Sequence, residues 1–284
     1  MEFPTTAKAL WDLVRNDLTL SREEPEADTE AYWLLEHYFG LSRTDVLVDK
    51  TLPQADYSVL ESAVDRLHAH EPIQYILGEA WFYGRPFSVN ENVLIPRPET
   101  EELVQQILQL PLAEQARVLD VGTGSGCIPI TLAAERPSWE VHALDISEEA
   151  LTVARANAQA LEVSVAWYRV DVLMAQPPVS GVDVLVSNPP YVRMQEMEAM
   201  APKVTDYEPP RALFVPDSAP LLFYERLTFL APRLLAPGGW LATEINEALG
   251  PEVAELYRQA GLQQVKLLQD MQGKDRMVLG QWEG

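Results

Sequence analysis

The stretch Arg117–Gly126, RVLDVGTGSG, decides the fold of this chain of 284 residues. A short apolar strand, Arg117–Val121, leads into a glycine-rich turn, and a helical segment, Ile128–Ala134, follows the turn. Glycines allow positive φ angles and a close approach of the backbone to a ligand, and a helix N-terminus presents free main-chain N–H groups. The stretch therefore predicts a strand, a turn and a helix, with a binding site at the turn.

The chain beyond residue 116 continues this alternation of strand and helix. Helices are predicted at Glu148–Ala160, at about 218–235 and at about 250–260. The alternation predicts a mostly parallel sheet with helices on both faces, and such sheets bind ligands outside the carboxyl ends of their strands. The further predicted strands, the last two as a terminal hairpin, are Val141–Asp145, Val163–Val170, Val182–Ser187, Trp240–Glu244, Val265–Leu268 and Met277–Gln281.

The first part of the chain has helical rather than strand periodicity. Residues 1–75 carry three amphipathic apolar stripes, which predict a small helical bundle. Residues 76–98 combine aromatic runs with turn residues, which predicts a β-hairpin linker. A helix then begins at Pro98 with acidic residues in its first turn. We therefore predict an N-terminal helical domain at 1–75, a hairpin linker at 76–98 and a sheet domain at 99–284.

The charge of the chain bears on its partners. It has 43 acidic and 21 basic side chains and a net charge of -22, with 15 acidic and 6 basic side chains in the first 75 residues and 28 and 15 in the rest. Proteins that hold nucleic acid through its phosphates need a positive surface. Direct nucleic-acid binding is therefore not expected from either part of the chain.

Cysteine use and hydropathy bear on redox state and location. The single cysteine, Cys127, excludes a disulfide within the chain and a cysteine-based metal site, and no histidine spacing is typical of a metal site. No apolar run approaches the roughly 20 residues that span a bilayer, and the N-terminal residues do not resemble a signal peptide. We expect no metal, no membrane association and a cytoplasmic location.

Three carboxylates follow or end successive predicted strands. Asp120 lies two residues before the glycine turn, Asp145 ends the next strand 19 residues after Gly126, and Asp171 follows a third. An acid at the position of Asp145 hydrogen-bonds ribose hydroxyls in nucleotide-binding sheets, and Asp171 could accept from an adenine amino group. Asp120 would repel a pyrophosphate but attract a sulfonium or amino group. A nucleoside ligand without phosphates, such as S-adenosylmethionine, fits this pattern.

The glycine turn alone leaves alternatives open. Its third glycine, Gly126, comes one residue earlier than in the dinucleotide fingerprint GxGxxG. A phosphorylated dinucleotide, or a tight turn that binds nothing, would also produce a glycine-rich stretch between a strand and a helix.

The tetrapeptide Asn188-Pro189-Pro190-Tyr191 is the most specific feature of the chain and follows the predicted strand Val182–Ser187. The two prolines fix φ and stiffen the main chain. The side-chain oxygen of Asn188 and the carbonyl of Pro189 can then accept both hydrogens of a planar NH₂ group, on whose face Tyr191 can stack.

This arrangement suits methylation of an unreactive nitrogen. The lone pair of an amide or aromatic amine is delocalised, so the nitrogen is a poor nucleophile. Accepting both N–H bonds moves electron density onto the nitrogen and favours a tetrahedral geometry, with its lone pair aimed at a sulfonium methyl group. The expected contribution is orientation together with preorganised electrostatics.

The glycine turn, Asp145 and the tetrapeptide resemble class I S-adenosylmethionine-dependent methyltransferases that modify planar amino groups. Over residues 30–284 the chain is similar to the peptide chain release factor N5-glutamine methyltransferase family. The further segments that carry this resemblance are Glu71–Gly78, Leu94–Glu101, Tyr207–Leu213 and Gly273–Arg276.

The resemblance implies a fold and a reaction. The fold would be a Rossmann-like class I methyltransferase domain with a mostly parallel seven-stranded sheet, a small N-terminal helical-bundle domain and a β-hairpin linker. The enzyme would transfer a methyl group from S-adenosylmethionine to the side-chain amide nitrogen of the glutamine in the Gly-Gly-Gln motif of class I peptide chain release factors. It would thereby support translation termination, with the N-terminal domain helping to dock the release factor.

The resemblance also implies site residues. The catalytic and substrate-binding residues would be Asn188, Pro189, Pro190 and Tyr191. The cofactor-binding residues would be Gly122, Thr123, Gly124, Ser125, Gly126, Asp145, Asp171, Val172 and Asn188.

Other functions fit the sequence less well. An N6-adenine methyltransferase acting on nucleic acid could use the same tetrapeptide, because adenine also presents a planar NH₂ group, but the acidic charge argues against it. A binding protein without turnover would be expected to lose Asn188 or the glycines. A nicotinamide dehydrogenase does not fit the spacing of the glycine turn.

Overall fold

The computed structural model describes residues 4–53 and 57–284, and the chain divides into two compact units. One unit runs to Gly78 and also includes Pro202–Tyr207, and the other comprises Glu79–Ala201 and Glu208–Gly284. The domains expected at 1–75, 76–98 and 99–284 stay predictions. The first of these includes residues 1–3 and 54–56, which lie outside the described residues.

The elements are numbered along the chain. The helices are α1 (Ala7–Leu18), α2 (Glu24–Phe39), α3 (Arg43–Leu47), α4 (Ser58–His68), α5 (Ile73–Leu77), α6 (Pro98–Leu108), α7 (Cys127–Glu135), α8 (Glu148–Ala160), α9 (Pro202–Thr205), α10 (Pro210–Leu213), α11 (Leu222–Leu234) and α12 (Gly250–Gln259). The strands are β1 (Glu79–Phe82), β2 (Arg85–Ser88), β3 (Arg117–Val121), β4 (Glu140–Asp145), β5 (Ala166–Arg169), β6 (Val182–Ser187), β7 (Val192–Arg193), β8 (Phe214–Val215), β9 (Leu235–Glu244), β10 (Gln263–Gln269) and β11 (Asp275–Gln281).

The first unit is a helical bundle built from α1 to α5. Its amphipathic helices bury apolar side chains in one shared core, in which Leu10, Leu34 and Leu67 have no exposed surface. A buried ion pair lies beside this core, with 3.2 Å between Arg22 Nε and Glu30 Oε2. The predicted N-terminal helical bundle is confirmed.

A short segment from the second half of the chain also belongs to this unit. Pro202–Tyr207 contains α9, and Lys203 pairs with Glu26 at 3.0 Å. The hydroxyl of Tyr207 donates to the main-chain oxygen of Ala69 at 2.7 Å. Residues far apart in sequence therefore complete the helical unit.

The second unit contains a seven-stranded sheet with the order β10-β11-β9-β6-β3-β4-β5. The four pairs formed among β9, β6, β3, β4 and β5 are parallel, and β11 pairs antiparallel with both β9 and β10. The predicted mostly parallel seven-stranded sheet with a terminal hairpin is confirmed. Two smaller two-stranded sheets, β1-β2 and β7-β8, also belong to this unit.

Helices cover both faces of the large sheet because its strands are apolar on both sides. Val118 and Val184 face a core that includes residues of α6, α7 and α8. Leu119 and Leu185 face a second core that includes residues of α11 and α12. Successive residues of each strand thus point to opposite faces, and both faces are buried.

Five strands differ in length from the sequence prediction, and two of them differ by four residues or more. The run Val163–Val170 forms a strand only at Ala166–Arg169, because Val163 still closes the end of α8 through a bond from its N–H to Ala158 O. Strand β9 begins at Leu235 rather than Trp240. Gly239 permits this early start, since an added Cβ would lie 2.9 Å from the main-chain oxygens of both Ala236 and Val182.

The order of the strands locates the ligand-binding edge. The chain runs from β3 outward through β4 and β5, then crosses to β6 on the other side of β3. Ligands of such sheets bind at this switch point, outside the carboxyl ends of the strands. Val121 and Ser187 pair at the ends of β3 and β6, so the glycine turn and Asn188 leave the sheet side by side.

Candidate active site

A cavity of about 260 Å³ opens at this edge of the sheet, and residues of the second unit line it. Its walls come from the loops after β3, β4, β5 and β6, from Asn92–Arg97 and from the start of α10. The residues of the sequence prediction that line it are Gly122, Thr123, Gly124, Ser125, Asp145, Asp171, Val172, Asn188, Pro189 and Pro190.

The glycine turn is held against the end of β4. The N–H groups of Gly122 and Thr123 both donate to Leu144 O, at 2.9 and 3.0 Å. Gly122 and Gly124 have positive φ, and around each of them no described atom lies within 4 Å of where a Cβ would stand. The turn can therefore lie close to a ligand along this part of the cavity wall.

Gly126 has a different role from its neighbours. It is absent from the described residues that line the cavity and precedes α7 in a left-handed conformation with φ 82°. A Cβ at this position would lie 2.8 Å from Ile130 Cδ1 and 3.1 Å from Ala154 Cβ. Gly126 thus packs the start of α7 against α8, and its contact with a cofactor stays a prediction.

Asp145 ends β4 with its carboxylate oriented by the main chain. Oδ2 accepts from the N–H of Gly124 at 2.9 Å, and Oδ1 accepts from the N–H of Ser147 at 2.9 Å. Burial raises the pKa of this carboxyl, and the two N–H donors oppose the rise. Each oxygen keeps a further lone pair with which it can accept from a hydroxyl in the cavity.

Asp171 and Val172 lie on the neighbouring wall. The N–H of Leu173 donates to Asp171 Oδ1 at 2.9 Å. Val172 is buried and contributes apolar surface to the cavity, as do Ile128 and Phe223. This part of the cavity therefore offers a carboxylate beside apolar surface, which suits a flat heterocycle with an amino group.

Asp120 lies behind the cavity rather than in its wall. Its side chain is fully buried, and both carboxylate oxygens lack a hydrogen-bond partner among residues 4–53 and 57–284. Burial raises its pKa to about 7. The expected attraction of Asp120 for a cationic group can act only through the wall.

Two hydroxyls on the glycine turn are buried without partners. Thr123 and Ser125 line the cavity, but Thr123 Oγ1 and Ser125 Oγ are themselves buried, and neither has a hydrogen-bond partner in the part of the chain that the structure describes. Buried polar atoms are nearly always hydrogen-bonded. Thr123 interacts with the carboxyl group of Asp120 and Ser125 with the thiol of Cys127, so these hydroxyls face the interior rather than the cavity.

Asn188 follows β6 and lines the cavity together with Pro189 and Pro190. Its side-chain nitrogen Nδ2 donates to Thr100 Oγ1 at 3.1 Å. Thr100 belongs to the first turn of α6 and lines the same cavity. The sequence analysis did not single out Thr100, since no periodicity or spacing along the chain relates it to Asn188.

Tyr191 does not reach the cavity as expected. It is absent from the described lining residues, and its hydroxyl donates to Glu244 Oε1 at 2.9 Å. Its ring packs with the core beneath α11 and α12. Burial, followed by the charge of Glu244, raises the pKa of Tyr191 well above its ordinary value. Tyr191 therefore anchors the tetrapeptide through Glu244, and its stacking on a substrate stays a prediction.

Comparison with curated proteins reveals relatives over nearly the whole chain. A release factor glutamine methyltransferase of Flavobacterium psychrophilum is 42% identical over 262 residues, which cover 90% of this chain and 92% of that protein. One of Bacteroides thetaiotaomicron is 44% identical over 243 residues, 84% of this chain and 87% of that protein. The chain belongs to the release factor glutamine methyltransferase family.

Family profiles agree with this assignment, and a solved structure agrees with the fold. Residues 16–78 match the PrmC N-terminal domain, and residues 99–204 match the methyltransferase small domain. A methyltransferase of known structure from Pyrococcus furiosus is similar in fold, with 19% identity and a TM-score of 0.52 over 80% of this chain and 99% of that one. The predicted class I methyltransferase fold and the assignment as a methyltransferase are confirmed.

In this member of the family, an ion pair with a buried carboxylate joins two segments around the cavity. Arg97 Nη2 lies 2.5 Å from Glu208 Oε1, and the N–H of Ile95 donates to Glu208 Oε2 at 3.2 Å. Glu208 is 3% exposed. The two segments, Leu94–Glu101 and Tyr207–Leu213, are far apart in the sequence. Only the fold brings them together, so the sequence does not predict their contact.

The described residues contain neither a candidate metal site nor a helix that could span a membrane. Within residues 4–53 and 57–284, no group of three or more His, Cys, Asp or Glu side chains could hold a metal ion. Over the same ranges, no helix has the length and apolar character needed to cross a bilayer.

Proposed function

We propose that this protein transfers a methyl group from S-adenosylmethionine to the side-chain amide nitrogen of the glutamine in the Gly-Gly-Gln motif of class I peptide chain release factors. The observation that carries the proposal is the carboxamide of Asn188 on the same cavity as the glycine turn. The names of the relatives, which share 42% and 44% of the aligned residues, support the release factor as substrate.

The residues around the cavity suit S-adenosylmethionine. The glycine turn, where no described atom lies within 4 Å of the Cβ positions of Gly122 and Gly124, would lie against its amino-acid part. Asp145 has lone pairs for the ribose hydroxyls, and Asp171 with Val172 suits the adenine. When bound, S-adenosylmethionine supplies an electrophilic methyl group on a positively charged sulfur.

Asn188 and Pro189 would hold the substrate nitrogen. The carboxamide oxygen of Asn188 and the main-chain oxygen of Pro189 each accept one N–H of the glutamine amide. Two prolines in succession keep these acceptors in place, so little reorganisation accompanies the reaction. No strong base is needed before transfer, because the nitrogen can lose its proton afterwards.

The same acceptors could hold the amino group of adenine, but the charge of the chain favours a protein substrate. Its 43 acidic side chains against 21 basic ones repel a polyanion. The proposed substrate acts in translation, so the cytoplasm is the expected compartment.

The test is methylation with isotope-labelled S-adenosylmethionine, offered with a class I release factor and, separately, with single-stranded and duplex DNA. We expect one methyl group on the release-factor glutamine, located by mass spectrometry of its peptides. Transfer to DNA adenine, or none to the glutamine, would contradict the proposal.

The role of Asn188 is tested in the same assay. Asn188→Ala should lower kcat on the order of 100-fold, the effect typical of losing a preorganised polar contact to the reacting group. Its S-adenosylmethionine dissociation constant, measured by calorimetry, should change less than about threefold. Asn16→Ala, at an exposed asparagine of α1, is the matched control and should behave like the unaltered protein.

A further inference from the structure

A chain of three hydrogen bonds leads from Asn188 into the protein interior. Asn188 Nδ2 donates to Thr100 Oγ1 at 3.1 Å, and Thr100 Oγ1 donates to Glu244 Oε2 at 2.6 Å. The other carboxylate oxygen, Oε1, accepts from the Tyr191 hydroxyl at 2.9 Å. Thr100 is 2% exposed and Glu244 is 1% exposed.

The fold brings these side chains together through strand pairing. Strands β6 and β9 are parallel, and Ser187 pairs with Thr243. Asn188 and Glu244, the next residue of each chain segment, therefore lie side by side at the edge of the sheet. Helix α6 packs on β9 and contributes Thr100 from its first turn.

The chain of bonds has only one consistent direction. As a carboxylate, Glu244 has lone pairs but no hydrogen, so it must accept from both hydroxyls. Thr100 has a single hydroxyl hydrogen, which it gives to Glu244. Its oxygen can then only accept from Asn188, which requires the NH₂ side of the carboxamide to face Thr100.

That requirement selects one of two orientations of the carboxamide. Rotation by 180° about its bond to Cβ exchanges oxygen and nitrogen with almost no change in shape. In the orientation selected by Thr100, the oxygen Oδ1 is left to accept from a group in the cavity. In the reverse orientation, the NH₂ of Asn188 would oppose the NH₂ of the substrate.

We propose that Thr100 and Glu244 are positioning residues that hold the carboxamide of Asn188 with its oxygen toward the substrate amide. The proposal rests on the proposed function, because it assumes that Asn188 accepts an N–H of the methylated nitrogen. Both residues are buried, so bulk water does not compete for the Thr100 hydroxyl or the Glu244 carboxylate.

The carboxylate charge adds to this selection. A hydrogen bond polarises the next bond in a chain. Glu244 therefore makes the Thr100 oxygen a stronger acceptor, and this oxygen polarises the N–H bond of Asn188. Electron density on Oδ1 of Asn188 increases as a result. Burial raises the pKa of Glu244, whereas its two hydroxyl donors and the charge of Arg276 favour the carboxylate.

The first experiment compares Thr100→Val with Thr100→Ser in the full-length protein. Valine keeps the shape of threonine but removes the hydroxyl that accepts from Asn188, whereas serine keeps that hydroxyl. We expect Thr100→Val to lower kcat for release-factor methylation by about 10- to 100-fold, as loss of one hydrogen bond with an ion in its chain predicts. Thr100→Ser should stay within about threefold of the unaltered protein.

Two further measurements separate positioning from a general structural effect. The dissociation constant of S-adenosylmethionine should agree between the serine and valine variants within about threefold. Thr100→Val should keep a cooperative urea transition with a lower midpoint, because valine leaves the buried Glu244 carboxylate without one of its two hydroxyl donors. Thr228→Val is the matched control, since Thr228 is a buried threonine whose hydroxyl bonds within α11. It should leave kcat unchanged.

A third measurement reports the orientation of the carboxamide without turnover. A release factor with glutamate in place of the target glutamine presents oxygens to Asn188 and should inhibit the unaltered protein weakly. In Glu244→Gln the new amide can donate to Thr100, so Thr100 can donate to Asn188 Oδ1 and reverse the carboxamide. We compare the affinity for the glutamate form with the affinity for the glutamine form. We expect the ratio of the two to be at least about fivefold higher in Glu244→Gln than in the unaltered protein.

These outcomes distinguish failure of the proposed function from failure of the positioning role. If the unaltered protein fails to methylate the glutamine, the proposed function is wrong. If it methylates the glutamine but Thr100→Val and Thr100→Ser have equal kcat, the positioning role is wrong. An unchanged preference between glutamine and glutamate in Glu244→Gln would also overturn it, and that result is available even if Thr100→Val does not fold.

Discussion

At the scale of single residues, Asp120 carries a carboxyl group whose oxygens have no hydrogen-bond partner in the described structure. It is fully buried, and burial raises its pKa from 3.8 to about 7. Between these pH values the unfolded chain has lost the proton while the folded chain retains it. The free energy of unfolding therefore falls as the pH rises through this window, by an amount on the order of a few kcal/mol.

Asp120→Asn should remove this pH dependence, because asparagine does not ionise. We expect the free energy of unfolding of the variant, minus that of the unaltered protein, to be larger at pH 8 than at pH 5. Urea unfolding at both pH values measures the difference, with Asp65→Asn, at an exposed aspartate of α4, as the control. Identical pH dependence in Asp120→Asn and the unaltered protein would show that Asp120 is not the cause.

At the scale of elements, the glycine turn combines two functions that the sequence does not separate. Gly124 borders the cavity, whereas Gly126 packs α7 against α8. Both have positive φ, at 55° and 82°. Only Gly126 has neighbours that an added methyl group would meet within the described structure, so the two glycines differ in how a substitution acts.

Gly126→Ala should lower the free energy of unfolding by about 2–4 kcal/mol, the sum of left-handed backbone strain and overpacking. Gly124→Ala is the matched control and should lose only the backbone contribution of about 1–2 kcal/mol. Urea unfolding curves of both variants measure these losses. Equal losses would mean that the contact of residue 126 with Ile130 relaxes without cost.

At the scale of the whole molecule, the chain enters the helical unit twice. Pro202–Tyr207 belongs to that unit although the residues on either side of it do not. The ion pair of Lys203 with Glu26 is half exposed and contributes roughly 0–1 kcal/mol. The bond from Tyr207 to Ala69 O, at 2.7 Å, contributes about 1 kcal/mol.

Tyr207→Phe should therefore loosen the attachment of this segment to the helical unit. We expect amide hydrogen exchange in Pro202–Tyr207 to become about fivefold faster, because local opening costs less free energy. Hydrogen-exchange mass spectrometry measures this, and Lys203→Ala should have a smaller effect. If Lys203→Ala has the larger effect, the surface ion pair rather than the tyrosine holds the segment.

The elements followed from local sequence because their signals are local. Short apolar runs predicted the strand that ends at Asp145 and the strand that precedes Asn188, and the glycine-rich stretch predicted the turn between β3 and α7. A strand boundary differs from the prediction where contact with a neighbouring strand decides it. The start of β9 depends on Gly239 fitting beside the main chain of Val182, a contact between residues far apart in the chain.

The sequence alone determined which chemical groups this protein carries at its site: the glycine turn, Asp145 and the carboxamide of Asn188. Only the tertiary structure decided which way those groups are held. Tyr191 turns to Glu244 instead of the cavity, and Thr100 joins Asn188 to the same carboxylate. The reason is physical, since hydrogen bonds between buried side chains depend on strand order and helix packing, which bring residues 88 and 144 positions apart within bonding distance.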